Sequence, residues 1–186
     1  MRVYNEPVDC KREKRLQIIL LTHEREVTRP TNTGQLAINV YPEHCKRIVW
    51  ARTAPDEELL KLFKTSDCAL LFPDEAVAEK ADLDEAICIE NHASCINKSM
   101  PNTLVIIDAT WQEARKMIRR SLYLKEARKY ALTTSQNSQF NLRRNQVDGG
   151  LCTVECIIAL FKQANMPQEA EVLAIEFEQM LSQVKG

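Results

Sequence analysis

Short runs of apolar residues alternate along this chain with longer stretches in which apolar positions recur every three or four residues. Leu16-Gln17-Ile18-Ile19-Leu20-Leu21 is nearly continuous, the pattern of a strand buried on both faces. The polar stretch from Thr22 to Gly34 reads as a long loop leading into a helix from Gln35 to about Tyr41. Arg47-Ile48-Val49-Trp50 reads as a second strand, and Leu59, Leu60 and Phe63 mark a helix near Pro55 to Lys64. Ala69-Leu70-Leu71-Phe72 reads as a third strand, stopped by Pro73. Residues 74–100 are ambiguous, with a candidate helix near Glu75 to Lys80 and a candidate strand at Ala86 to Ile89. Thr103 to Ile107 is the clearest strand, broken on its near side by Pro101-Asn102 and carrying Asp108 at its carboxyl end. A helix from Trp111 to about Arg120 follows, with Ala114, Met117 and Ile118 as its inward face. Tyr130-Ala131-Leu132 is a last candidate strand, and two helices, Leu151 to Ala164 and Gln168 to Val184, close the chain.

Strands alternating with helices predict an α/β fold, an open and mostly parallel sheet with helices on both faces. The chain of 186 residues shows no repeat, low-complexity tract or linker, so residues 1–186 are expected to form one domain. A composition of 45% hydrophobic and 27% charged residues argues against disorder. The apolar runs are too short to cross a bilayer, and the first residues reach charged positions at once, without a signal-peptide stretch. The seven cysteines are scattered singly and read as reduced thiols of a cytoplasmic protein.

The net charge of −1 says nothing of a nucleic-acid partner, but its distribution does. Between Arg115 and Lys129 seven basic residues face one acid, Glu126, and Arg143 and Arg144 follow; the acids gather at Asp56–Glu58, Asp74–Glu90 and Glu169–Glu178. Segregation of this kind gives a local positive field suited to phosphates, although a solvated helix face has the same pattern. Arg115 and Arg119 share one helix face.

In open α/β sheets ligands bind beyond the carboxyl ends of the strands. The residues there are His23 to Gly34, Pro73-Asp74-Glu75 and Asp108-Ala109-Thr110-Trp111. Three of only four glycines, Gly34 and the pair Gly149-Gly150, sit in polar loops that lead into helices. The helix start after Gly150 offers N–H groups to an anion, or is a simple turn. Cys88, His92 and Cys95 have a spacing open to a metal, but no paired C-x-x-C supports one. Cys152 and Cys156, i and i+4 on an apolar helix, read as core residues, and His44 has no functional case. No glycine-rich loop ends in Lys-Ser or Lys-Thr, which disfavours a P-loop nucleotide enzyme.

Asp108-Ala109-Thr110-Trp111 resembles the D-x-T-W signature of the DTW-domain proteins. His23 to Leu36, Leu70-Leu71-Phe72-Pro73, Leu142-Arg143-Arg144 and Gly150 to Cys156 resemble further blocks of that family, in the expected order. The resemblance implies a SPOUT-like fold, with a trefoil knot near the cofactor site. It also implies a tRNA-uridine aminocarboxypropyltransferase that takes its group from S-adenosyl-L-methionine. The rival readings are an RNA methyltransferase of the same superfamily and a non-catalytic RNA-binding factor. Many family members carry a cysteine-rich segment before the core, whereas residues 1–15 here contain only Cys10, so no zinc cluster is expected in this extension.

The resemblance implies roles for named residues. Asp108, Thr110 and Trp111 would be catalytic, with Asp108 as the base toward uridine N3 or as an electrostatic anchor for the sulfonium. Leu71, Phe72, Pro73, Asp108, Thr110, Gly150, Thr153 and Glu155 would bind the cofactor. His23, Arg29, Thr31, Asn32, Thr33, Arg115, Arg119, Arg143 and Arg144 would meet substrate or RNA. Trp111 as a plain core aromatic, and Glu24 with Arg25 as an exposed loop ion pair, are the bland alternatives.

Overall fold

The computed structural model describes residues 16–65, 67–72, 99–132, 138 and 150–184. Among them five strands form one sheet: β1 (Gln17–Thr22), β2 (Cys45–Val49), β3 (Cys68–Phe72), β4 (Thr103–Asp108) and β5 (Lys129–Ala131). The order across the sheet is β2-β1-β4-β3-β5, and every pairing is parallel. The helices are α1 (Thr33–Val40), α2 (Glu57–Phe63), α3 (Trp111–Arg120), α4 (Leu122–Glu126), α5 (Thr153–Gln163) and α6 (Pro167–Val184).

Successive side chains of a strand point to opposite faces, and the apolar runs use both. Ile18, Leu20, Leu104 and Ile106 pack on one face with Ala37 of α1, Ile157 and Phe161 of α5, and Leu173 and Phe177 of α6. Ile19, Leu21, Leu70 and Val105 pack on the other with Leu59 of α2, Met117 of α3 and Leu124 of α4. The expected α/β fold, helices on both faces of a parallel sheet, is therefore present. A knot depends on the course of 73–98, 133–137 and 139–149, which lie outside the described residues.

Leaving β1, the chain turns to β2 on one side; leaving β4, it crosses β3 to reach β5 on the other. The adjacent carboxyl ends of β1 and β4 are thus the topological switch point of the sheet, the place where such folds open a crevice for ligands. Thr22 and Asp108 pair there in register.

Helix α4 is not legible as a helix in the sequence, being five residues long and without a side-chain cap. It is held by the buried Leu124 and by Lys129, whose Nζ donates to the carbonyl oxygens of Leu124 at 2.7 Å, Lys125 at 3.0 Å and Ala127 at 2.7 Å. A cation on the last carbonyls of a helix is favoured by the helix dipole. Lys129 is thereby removed from the basic surface to which its sequence position assigned it: its charge is buried in the fold.

Candidate active site

The two faces of the sheet divide the D-x-T-W segment. Asp108 is the last residue of β4, and its side chain, 2% exposed, lies on the α1 and α5 face. Three side chains donate to its carboxylate: Thr22 Oγ1 to Oδ2 at 3.1 Å, Asn32 Nδ2 to Oδ2 at 2.8 Å, and Thr153 Oγ1 to Oδ1 at 2.9 Å. Asn32 also caps α1, its Oδ1 accepting from the Gln35 N–H at 2.7 Å. Thr153 is the first residue of α5, and the Val154 N–H donates to Thr33 Oγ1 at 3.4 Å, tying the two helix starts to each other. Two helix starts thus converge on one buried carboxylate.

Gly34 makes this approach sterically feasible. A Cβ built there would lie 2.9 Å from Asp108 Oδ1 and 3.0 Å from Oδ2, closer than a methyl group tolerates. Behind Thr22 stands Arg47 of β2, whose Nε donates to Thr22 Oγ1 at 3.2 Å and whose Nη1 donates to Gln35 Oε1 at 2.7 Å. Because Thr22 accepts from Arg47, its own proton is left for an acceptor such as Asp108. Arg47 Nη2 is buried with no hydrogen-bond partner among the described residues. Sequence reading passes over Arg47; the available signal is a charged residue inside an apolar strand.

On the opposite face, Thr110 and Trp111 open α3. The Thr110 hydroxyl accepts from the Glu113 N–H at 3.3 Å, and Glu113 Oε2 accepts from the Thr110 N–H at 3.2 Å and its hydroxyl at 2.8 Å. This is a capping box. Burial alone would push the Glu113 carboxyl up, but the Thr110 hydroxyl and N–H, with His23 and Arg29 nearby, hold it below the usual range. Trp111 is half-buried and belongs to neither core cluster among the described residues.

His23, the first residue after β1, lies on this same side. Its ring stacks on Trp50 with centroids 5.8 Å apart and planes inclined by 22°. Trp50 Nε1 is in turn anchored on Ser121 Oγ at 3.0 Å. His23 Nδ1 accepts from the Arg25 N–H at 3.3 Å and lies 3.9 Å from Glu113 Oε1. The His23 N–H donates to the Asp108 carbonyl at 3.1 Å, so one peptide edge connects both sides of the switch point.

The remaining candidates divide by orientation. Asn32 and Thr33 are buried and turned into the sheet edge, while Thr31 is half-buried. Arg29 is exposed, and its Nη1 donates at 2.6 Å to Oε1 of the wholly buried Glu26. Phe72 is buried and Leu71 half-buried at the carboxyl end of β3. Gly150 is buried ahead of α5, and Glu155 caps that helix, accepting from the Cys152 N–H at 2.8 Å and from Ser138 Oγ at 2.6 Å. Arg119 and Arg120 are exposed on α3, and Arg115 is half-buried. Pro73, Arg143, Arg144 and the Cys88, His92 and Cys95 set lie outside the described residues. Cys156 and Cys152 pack against the core, and burial pushes the Cys156 thiol up to about 12. His44 is structural: its Nδ1 meets the Leu16 carbonyl at 2.8 Å.

A model of the DTW domain matches residues 5–185, almost the whole chain and all of the switch point. The chain belongs to the DTW-domain family. This DTW-domain chain is 26% identical over 158 residues to the tRNA-uridine aminocarboxypropyltransferase 2 of Macaca fascicularis, and 25% identical over the same length to that of Mus musculus. Each match covers 82% of this chain and 50% of the relative, so the chain spans about half the length of the curated relatives it matches. No solved structure matches this DTW domain at a significant level. Among its described residues no helix is long and apolar enough to cross a membrane.

Proposed function

We propose that this chain transfers the 3-amino-3-carboxypropyl group of S-adenosyl-L-methionine to N3 of a uridine in tRNA. The products are 3-(3-amino-3-carboxypropyl)uridine and methylthioadenosine. The observation that carries the reading is the position of the family's motif: Asp108-Ala109-Thr110-Trp111 stands at the switch point, in a chain matched to the DTW domain over residues 5–185. The names of both relatives supply the chemistry.

The residues present fit the donor. Arg47 Nη2 is a buried donor without an acceptor among the described residues, the kind of group that a carboxylate or a bridging water satisfies. Asp108 supplies a fixed negative charge that favours a sulfonium nearby. Leu71 and Phe72, followed by Pro73, would hold the adenosine at the end of β3, and Gly150, Thr153 and Glu155 the amino-acid end at the start of α5. When bound, S-adenosylmethionine supplies an electrophilic carbon next to a positively charged sulfur. Thr110 fixes the start of α3, and Trp111 offers a flat face for a base. Arg115 and Arg119, with Arg143 and Arg144, would hold the tRNA backbone through its phosphates without base preference. Arg29 and Thr31 would add polar contacts to the substrate.

The test is mass spectrometry of nucleosides from unmodified tRNA incubated with the protein and S-adenosylmethionine. A uridine heavier by one aminocarboxypropyl group, with release of methylthioadenosine, is expected. A methylated nucleoside, or unchanged tRNA despite cofactor binding, would overturn the reading.

A further inference from the structure

We propose that His23 is a catalytic residue of the reaction assigned above, the N–H of its Nε2 donating to a carbonyl oxygen of the target uracil. The inference rests on the aminocarboxypropyl-transfer reading and adds the group that makes uridine N3 reactive.

Four carboxylates around the switch point are already engaged among the described residues. Asp108 accepts from Thr22, Asn32 and Thr153; Glu113 from Thr110; Glu155 from Cys152 and Ser138; and Glu26 from Arg29. Their oxygens already serve these donors, which leaves fewer lone pairs to receive a uracil proton. His23 differs from them. Its Nδ1 accepts from the Arg25 N–H, which leaves the proton of the neutral ring on Nε2. Nε2 has no hydrogen-bond partner among the described residues. The ring is fixed on one face by Trp50 and keeps 13% side-chain exposure, so it is largely dehydrated yet reachable.

Loss of the N3 proton spreads negative charge over N3 and the two uracil carbonyl oxygens. A positioned N–H on either oxygen lowers the cost of that anion. N3 then forms its bond to the carbon next to sulfur, and the C–S bond breaks with its electron pair left on sulfur. The N3 proton passes to solvent. His23 keeps its own proton throughout, and Trp50 and Glu113 are positioning residues that act through it.

Two variants and two transcripts test this. In His23→Asn the short amide still accepts from the Arg25 N–H but lacks an outer donor; in His23→Gln the longer amide carries an N–H outward. On uridine tRNA, His23→Asn is expected to slow the reaction roughly 100-fold, the loss seen when one donor to a developing anion is removed, and His23→Gln much less. On tRNA transcribed with 5-fluorouridine, whose N3 ionises more readily, the His23→Asn loss is expected to shrink to within about tenfold. Equal losses on both transcripts would overturn the role, since a purely structural defect ignores the acidity of N3. Nitrogen NMR of the His23 ring gives a readout apart from activity: Nε2 protonated and Nδ1 bare supports the assignment, and the reverse tautomer contradicts it. Wild-type protein that makes no aminocarboxypropyl product on either transcript would overturn the parent reading and this inference together.

Discussion

The two sides of the β1–β4 edge are built on opposite plans. On the α1 and α5 side, one buried carboxylate gathers three hydroxyl or amide donors and two helix starts, and Gly34 lets the backbone close over it. On the α3 side, His23 and Trp111 remain partly exposed around a capping box, and one His23 nitrogen has no partner among the described residues. Donors gathered on a carboxylate fix the backbone around it; the groups left without a partner among the described residues, Arg47 Nη2 on the first side and the outer His23 nitrogen on the second, leave room for a substrate group. Asp108 and Thr110, two positions apart in the motif, thus sit in different networks: the first joins two helix starts, the second caps α3.

Substitutions that weaken the anchor should cost stability, and those on the α3 side should cost mainly chemistry. The largest effect is expected from Asn32→Ala, which removes both the α1 cap and a donor to a buried charge. It should destabilise the protein by about 3 kcal/mol in urea unfolding. A loss near zero would mean that the network is not an anchor. Thr110→Ala should cost only about 1 kcal/mol at neutral pH, as for an ordinary helix cap.

That second loss carries a pH signature. The Glu113 carboxyl is depressed in the folded state, burial notwithstanding, by the Thr110 bonds and the neighbouring His23 and Arg29. Its contribution is complete above the ordinary glutamate range and fades as pH falls through the folded value. The stability gap between wild type and Thr110→Ala should therefore narrow in acid, measured by unfolding across that range; a constant gap would remove Glu113 from the account. The smallest effect on the fold comes from Arg119→Ala and Arg120→Ala, both exposed. These should leave stability unchanged but reduce the salt slope of tRNA affinity by roughly 0.7–0.9 for each phosphate that is no longer neutralised.

Much of this molecule is legible in its sequence. The buried strands announce themselves as apolar runs, and β4 with Asp108 at its end stands out because Pro101-Asn102 and the Trp111 helix bracket it. What is not legible is direction. Thr22 and Asp108 are brought together across 86 positions by strand pairing, which no local pattern encodes. The motif reads as one cluster, yet the chain passes from strand to helix within it, and that change sends Asp108 to one face and Thr110 to the other. Lys129 looks like one more surface cation until β5 turns it under α4. Asn32 and Thr33, legible as polar loop residues, are turned inward because a helix begins there and needs its cap.

Asp108, on this account, holds two helix starts together and does not take the uridine proton. Equilibrium unfolding of Asp108→Asn tests that role most directly. The amide keeps the shape but loses the charge that three donors share, and a stability loss on the order of 2–3 kcal/mol is expected. Full wild-type stability together with abolished product formation would contradict the anchoring role and return Asp108 to that of catalytic base.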